Sequence, residues 1–335
     1  MIYVHVPFCR SFCTYCDFYS ETACRGKDGD MIRRYVEDLC SEARSRMEEM
    51  DSTRGLNTLY IGGGTPSVLP LSCLEAIVRP LEKGPWDEFT IEVNPEDIVE
   101  KGESYVKGLL ELGVSRVSMG VQSLDDGILR WMNRRHSADG ARQAYSILRK
   151  AGVGNISVDI ITGISQLSDT ILASTLDEIL SGWRPEHLSS YQLSIEEGSA
   201  LAQMVDRGLY QEASEEQCRR QYEMICSRLR AAGYEHYEIS NWCRPGYASK
   251  HNSAYWTRLP YVGLGPGAHS LKGLDVRSWN SQQLCGWTSS EEHLSQEEIR
   301  EERLMLGLRT AKGIDGRTIP EKDWFIADSI IADMI

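Results

Sequence analysis

The sequence predicts an α/β protein: a partial (β/α)6 barrel in residues 1–232, followed by a smaller C-terminal α+β region in 233–335. Through the first two-thirds of the chain, short β-rich runs alternate with longer stretches of helical spacing. Six such β-α units in succession indicate a parallel sheet with its helices outside. After about residue 205 the character changes, first to one long helix and then to segments rich in aromatic and turn residues.

Taken in order, the strand candidates are 2–6, 58–61, 89–93, 116–120, 156–161 and 187–193. Helical spacing fills 31–50, 71–81, 105–112, 138–150 and 170–180 between them. The number of units favours a curved partial barrel, although periodicity alone does not separate it from an open doubly wound sheet. In either form, functional groups gather at the carboxyl ends of the strands. Residues 213–232 read as one helix ended by Gly233, which sets the boundary between core and C-terminal region. Beyond it, EHYEIS (235–240) reads as a strand that completes the sheet or pairs at its edge. GLGPGAHS (263–270) is a turn cluster placed to cover the barrel mouth, and 291–310 reads as a charged amphipathic helix whose acid run is a solvated face.

Composition narrows the function. Over 335 residues the formal charge is −13, with 41% hydrophobic and 25% charged residues. An acidic chain lacks the broad basic face that phosphates require, so no nucleic-acid partner is expected; RWMNRRH (130–136) is only a small basic patch. No apolar run approaches the ~18–20 residues that cross a bilayer, and MIYVHVPFC opens the chain without a secretory pattern. A reduced, cytoplasmic protein is the expectation.

Three cysteines carry the strongest chemical signal. Cys9, Cys13 and Cys16 form C-x3-C-x2-C directly after the first strand candidate. Thiolates at that spacing suit three irons of a 4Fe–4S cluster and leave the fourth iron open to a small molecule. A cluster built only for electron transfer normally takes four thiolates. Zinc is the competing reading, but it usually needs a second Cys or His pair downstream. The nearby Cys24 and His5 stand at neither usual offset. Cys40, Cys73, Cys218, Cys226, Cys243 and Cys285, like Cys24, show no paired spacing and read as reduced thiols.

Gly62-Gly63-Gly64-Thr65-Pro66 follows the second strand candidate. Glycines there let the backbone approach a ligand and present its polar groups. Glu92 and Asn94 end the third strand, and Gln122 and Ser123 follow the fourth. Asp159 lies within an apolar fifth strand, where a charge needs a partner: a structural pairing and a ligand contact are both open. Arg134 has the fork that grips a carboxylate bidentately, though most arginines of this kind are solvated.

These motifs together resemble the HemN/HemW branch of radical S-adenosylmethionine (SAM) proteins. The resemblance runs from YVHVPFC through GGGTPS (62–67), IEVNPE (91–96), RVSMGVQS (116–123), NRRHS (133–137) and SVDII (157–161). It continues in LSSYQLSIEEG (188–198), YEISNW (237–242), HNSAYW (251–256), PYVGLGPGAHS (260–270) and LMLGLRTAKGI (304–314). It implies a radical SAM barrel with a C-terminal HemN-type domain. It also implies a 4Fe–4S cluster on Cys9, Cys13 and Cys16, with SAM on its open iron. By motif, the SAM contacts become Tyr3, Tyr15, Gly63, Gly64, Thr65, Glu92, Gln122, Arg134 and Asp159.

Within the branch, oxygen-independent coproporphyrinogen oxidases carry a further cysteine two residues after the third; here that position is Phe18. The resemblance is therefore to haem chaperones. It implies haem as ligand, a haem-acceptor protein as partner, and an electron donor where SAM is cleaved. HNSAYW matches the branch's proposed haem-binding motif, so His251 is the implied axial ligand, with Tyr255 and Trp256 available to stack on a porphyrin. A loop histidine held by hydrogen bonds is the plainer fate of such a segment, and His269 is the next candidate. The competing functions are oxidative decarboxylation of coproporphyrinogen and anaerobic opening of the haem ring. Two departures stand out: GISQLS (163–168) replaces the branch's GLPGQT, and the end at WFIADSIIADMI implies an abbreviated C-terminal domain.

Overall fold

The computed structural model describes residues 1–22, 29–52, 55–81 and 84–335, so Cys24 lies outside the described residues. Six strands, β1 (Ile2–Val6), β2 (Thr58–Gly63), β3 (Glu88–Val93), β4 (Arg116–Gln122), β5 (Ile156–Thr162) and β6 (His187–Gln192), pair in parallel in sequence order. All six expected strands are present, with ends shifted by at most two residues. Each is followed by one or more helices, as parallel connection requires.

Three strands from the chain after residue 232 extend this sheet. β7 (Glu235–Glu238) and β8 (Asn241–Cys243) form a hairpin whose β8 pairs antiparallel with β6. β9 (Val262–Leu264) pairs parallel with β1 at the other edge. The sheet order is β7-β8-β6-β5-β4-β3-β2-β1-β9, an open arc rather than a closed ring. A separate antiparallel sheet holds β10 (His269–Lys272), β11 (Val276–Asn280) and β12 (Ser289–His293).

Period-2 alternation divides the strands into two faces. Val4, Val6, Leu59, Ile61, Phe89, Ile91, Val117, Met119, Ile156, Val158 and Leu188 are buried in the main apolar core. The alternate positions are polar: Tyr60, Glu92, Arg116, Ser118, Gln122, Asp159 and Ser189 all border one cavity, so the sheet curves around a polar lumen. A second, smaller core of Leu308, Ile319, Trp324, Ala327 and Ile331 gathers the end of the chain.

Helix boundaries differ from expectation where local chemistry outweighs periodicity. The helix expected over 105–112 runs Pro95–Glu111; Pro95 stands in its first turn and Gly102 (φ 70°) kinks it, which hides its first half from a periodicity search. The run 31–50 is two helices, Gly29–Ser45 and Met47–Ser52. The expected helix over 291–310 begins only at Gln296: residues through His293 belong to β12, and Ser295 and Glu298 form a capping box that fixes the start. Among the described residues, no helix is long and apolar enough to cross a membrane.

The amino end of the lumen is closed by the short helix Lys250–Trp256. Glu88, at the start of β3, accepts from Ser249 Oγ (3.2 Å), Lys250 N (2.9 Å) and His251 N (3.0 Å). At the other end, the turn of Gly265 and Gly267 packs against the His5 carbonyl and the Tyr19 ring, beside the end of β1.

Candidate functional site

The loop after β1 carries Cys9, Cys13 and Cys16, and all three border one cavity of about 470 Å³ at the carboxyl end of the sheet. Backbone contacts fix the loop on several sides. Cys9 N donates to Glu21 O (3.0 Å), Thr14 N donates to Met132 O (3.1 Å), and Leu201 N donates to Thr14 O (2.8 Å). Arg10 reaches the helix Pro95–Glu111, pairing with Asp97 at 3.0 Å and with Glu100. Asn133 Nδ2 donates to Phe12 O at 2.7 Å.

A chain of polar contacts crosses the site between two of the thiols. Cys9 Sγ lies 3.6 Å from Thr65 Oγ1, which accepts from Asn94 Nδ2 at 3.1 Å. Asn94 Oδ1 accepts from Arg134 Nη2 at 2.7 Å, and Arg134 Nη1 donates to Cys13 Sγ at 3.4 Å. Asn94, named in the sequence only as a strand end, thus becomes the centre of the network.

These residues fit a cluster carrying an amino-acid ligand. The thiols share one cavity wall, yet among the described residues no three His, Cys, Asp or Glu side chains converge on a single ion. Burial pushes the Cys9 thiol up and Cys16 to about 11, so metal binding is what would hold them as thiolates. Gly64 is required by packing: a Cβ there would stand 2.8 Å from Phe8 O and 3.1 Å from Cys9 Sγ. Among the buried polar atoms of the wall without a hydrogen-bond partner are Gln122 Oε1 and Arg134 Nε at the cluster end, both placed to meet a ligand, and Arg116 Nε on the same strand as Gln122. Gln122 (φ 64°) sits at a register shift between β4 and β5, the irregularity that turns its side chain over Gly120 into the cavity.

Deeper in the cavity, Glu92 accepts from the Tyr60 hydroxyl at 2.7 Å and from Gly63 N at 3.0 Å. Burial raises its carboxyl to about 7. Asp159 accepts from Ser118 Oγ (3.0 Å) and Ser157 Oγ (3.3 Å), and burial raises it as well. The carboxyl has hydrogen-bond partners and also borders the cavity.

Of the residues expected to hold SAM, Tyr15, Gly63, Gly64, Thr65, Glu92, Gln122, Arg134 and Asp159 border the cavity. Tyr3 is not among the wall residues; its hydroxyl lies 3.1 Å from His5 Nδ1 and its ring packs beside Tyr60. The altered GISQLS loop is gripped by the helix Glu215–Ala231: Gln221 Oε1 accepts from Gly163 N (3.0 Å), and Gln217 Nε2 donates to Ile164 O (3.0 Å).

His251 stands at the opposite end of the lumen. It is fully buried, with Nδ1 2.8 Å from Thr58 Oγ1 and Nε2 2.9 Å from the Tyr255 hydroxyl, so both ring nitrogens are engaged. Burial lowers it to about 3, which keeps the imidazole neutral. Within HNSAYW it is the following residue, Asn252, that borders the cavity. His269 is exposed at the start of β10, its ring stacked 6.3 Å from that of Trp279. Tyr60, Arg116 and Asn252 went unremarked in the sequence; polar alternation along β2 and β4 was the available signal for the first two.

The Radical SAM superfamily profile matches residues 3–179. The haem chaperone HemW of Lactococcus lactis is 34% identical over 323 residues, covering 93% of this chain and 82% of that protein. HemW of Bacillus subtilis is 30% identical over 337 residues, 96% of this chain and 86% of that one. The mitochondrial radical S-adenosyl methionine domain-containing protein 1 of Bos taurus is 33% identical, over 93% and 74% of the two chains. Among solved structures, Escherichia coli coproporphyrinogen III oxidase (HemN), a radical SAM enzyme, superposes with a TM-score of 0.76 over 92% of this chain and 75% of its own. At 20% identity, that likeness speaks for the fold.

Proposed function

This chain belongs to the HemW family of the radical SAM superfamily, and from that premise we propose that it binds haem and passes it to an acceptor protein. The observation that carries the proposal is likeness to named haem chaperones, 30% to 34% identical over more than nine-tenths of this chain and more than four-fifths of theirs.

Cys9, Cys13 and Cys16 would hold a 4Fe–4S cluster, which supplies an iron with an open position for the amino and carboxylate groups of SAM. The chain's own groups do the positioning. Arg134, fixed by Asn94 and Gly120 O (2.7 Å), offers its partnerless Nε to a carboxylate. Gln122 and the two buried carboxyls, Glu92 and Asp159, suit hydroxyls of a ribose. Glu92 also holds the glycine turn by its bond to Gly63 N, so ligand contact and backbone position are coupled.

Phe18 replaces the oxidase cysteine and is 67% exposed; Phe12 (50%) and Tyr191 (43%) share its cavity. An apolar rim over a polar lumen suits a flat apolar ring with polar edge groups. His251 is the proposed axial ligand. Its use requires Nε2 to give up the Tyr255 hydroxyl while Nδ1 keeps Thr58 and, because the side chain is fully buried, movement of the helix Lys250–Trp256.

The test is an anaerobic haem titration of cluster-reconstituted protein, followed by mixing with apomyoglobin as acceptor. Stoichiometric binding with transfer is expected, and incubation with coproporphyrinogen, SAM and reductant should yield no protoporphyrinogen. Absence of haem binding, or protoporphyrinogen formation, would overturn the proposal.

A further inference from the structure

Arg116 opens β4 with a side chain that is 2% exposed, among the largest fully buried side chains of the chain. Among the described residues, no hydrogen bond or ion pair reaches its guanidinium, and Nε is a buried donor without a partner. A buried arginine in this condition is costly, because it has five donors and a permanent charge.

The acids around it are engaged elsewhere. Glu92 is bonded to Tyr60 and Gly63, and Asp159 to Ser118 and Ser157. Glu92 and Asp159 feel the charge of Arg116 only through space. Arg116 nevertheless borders the cavity that the cysteines border, whose wall also holds Tyr60, Ser118, Ser189 and Asn252. A planar fork without a partner, facing a cavity, is a receptor for a carboxylate.

We infer that Arg116 forms a second anion subsite in the lumen, which takes a carboxylate of the ligand lying between the cluster loop and the helix Lys250–Trp256. Position distinguishes the two carboxylates available. Arg116 and Gln122 lie six residues apart on β4, roughly 20 Å of strand. A methionyl carboxylate held at the cluster end would not span that length, whereas a porphyrin edge with flexible propionates extends deeper. In naming the porphyrin as carrier, the inference rests on the proposed haem reading.

The test uses the full, anaerobically reconstituted chain as wild type, Arg116→Gln and Arg116→Lys. Each is titrated with haem, with haem dimethyl ester (whose propionates are capped) and with SAM, and unfolding is followed by circular dichroism. Arg116→Gln should weaken haem about tenfold or more, with Arg116→Lys intermediate because it keeps charge but loses the fork. The dimethyl ester should bind both variants as it binds wild type, and SAM should be unaffected. Weakened SAM with unchanged haem would overturn the assignment of Arg116 to a propionate. Unchanged binding of both ligands, or equal loss for haem and its ester, would overturn it. If Arg116→Gln fails to fold, Arg116→Lys and the ester comparison on wild type decide by the same criteria. Wild type that binds no haem overturns the haem reading and the propionate subsite with it, whereas haem-binding wild type matched by Arg116→Gln overturns the subsite alone.

Discussion

Arg134 donates Nη2 to Asn94 Oδ1 at 2.7 Å, and this contact joins the β4 side of the cavity to the glycine turn after β2. Because Asn94 also donates to Thr65, whose hydroxyl lies beside Cys9, one amide holds both the cation that faces Cys13 and the hydroxyl beside Cys9.

Asn94→Ala removes that amide and leaves Arg134 free to swing. SAM affinity, read by calorimetry on reconstituted protein, should fall about tenfold, the effect of losing one hydrogen bond to a charged group. Iron content should stay at the wild-type level. Unchanged SAM affinity would show that Asn94 is not the positioning residue.

Gly64→Ala places a methyl between Phe8 O and Cys9 Sγ, so the loop cannot seat against the glycine turn. Iron incorporated per chain on anaerobic reconstitution should drop several-fold. Gly154, where an added Cβ meets nothing within 4 Å, supplies the control: Gly154→Ala should load fully. Equal loading of the two variants would contradict the packing account.

Glu92 makes stability depend on pH. Its folded carboxyl titrates at about 7 rather than the usual 4.5, because burial disfavours the charge. Between those values the unfolded chain gives up its proton while the folded chain keeps it. The contribution of Glu92 is therefore fully present below 4.5 and is lost as pH rises through 7. Between pH 5 and 8, SAM-free wild type should lose on the order of 2–3 kcal/mol more stability than Glu92→Gln. Parallel pH profiles in denaturant titrations would refute this.

Tyr255 competes for the ring nitrogen that a metal would need. Tyr255→Phe removes the 2.9 Å contact to His251 Nε2 and should speed haem binding several-fold in stopped-flow absorbance. His251→Ala should weaken haem binding at least tenfold. A Tyr255→Phe protein that binds haem more slowly, or a His251→Ala protein that binds with full affinity, would remove His251 from the account.

The parallel strands and the three-cysteine loop were legible because each rests on local spacing. Strand β1 occurs as expected, with Cys9 directly behind it. The closing elements were not legible, because β8 and β9 are three-residue strands whose pairing depends on distant partners. Asn94 was visible only as a polar residue at a strand end; its reach to Arg134 spans 40 residues and no local pattern encodes it. The placement of His251 depends on Thr58 in β2, 193 residues away, which is why HNSAYW looked the same as motif or as packing. The start of the last long helix was misjudged because the acid run of β12 mimics a solvated helix face, while the decisive signal was the Ser295 cap.

Mössbauer spectroscopy of anaerobically reconstituted, ⁵⁷Fe-loaded protein, with and without SAM, tests the central claim most directly. The account predicts a 4Fe–4S cluster in which one iron site changes its spectrum on SAM addition while three keep thiolate character, and its loss when Cys9, Cys13 and Cys16 are replaced. A cluster indifferent to SAM, or a site that holds zinc and no cluster, would contradict it.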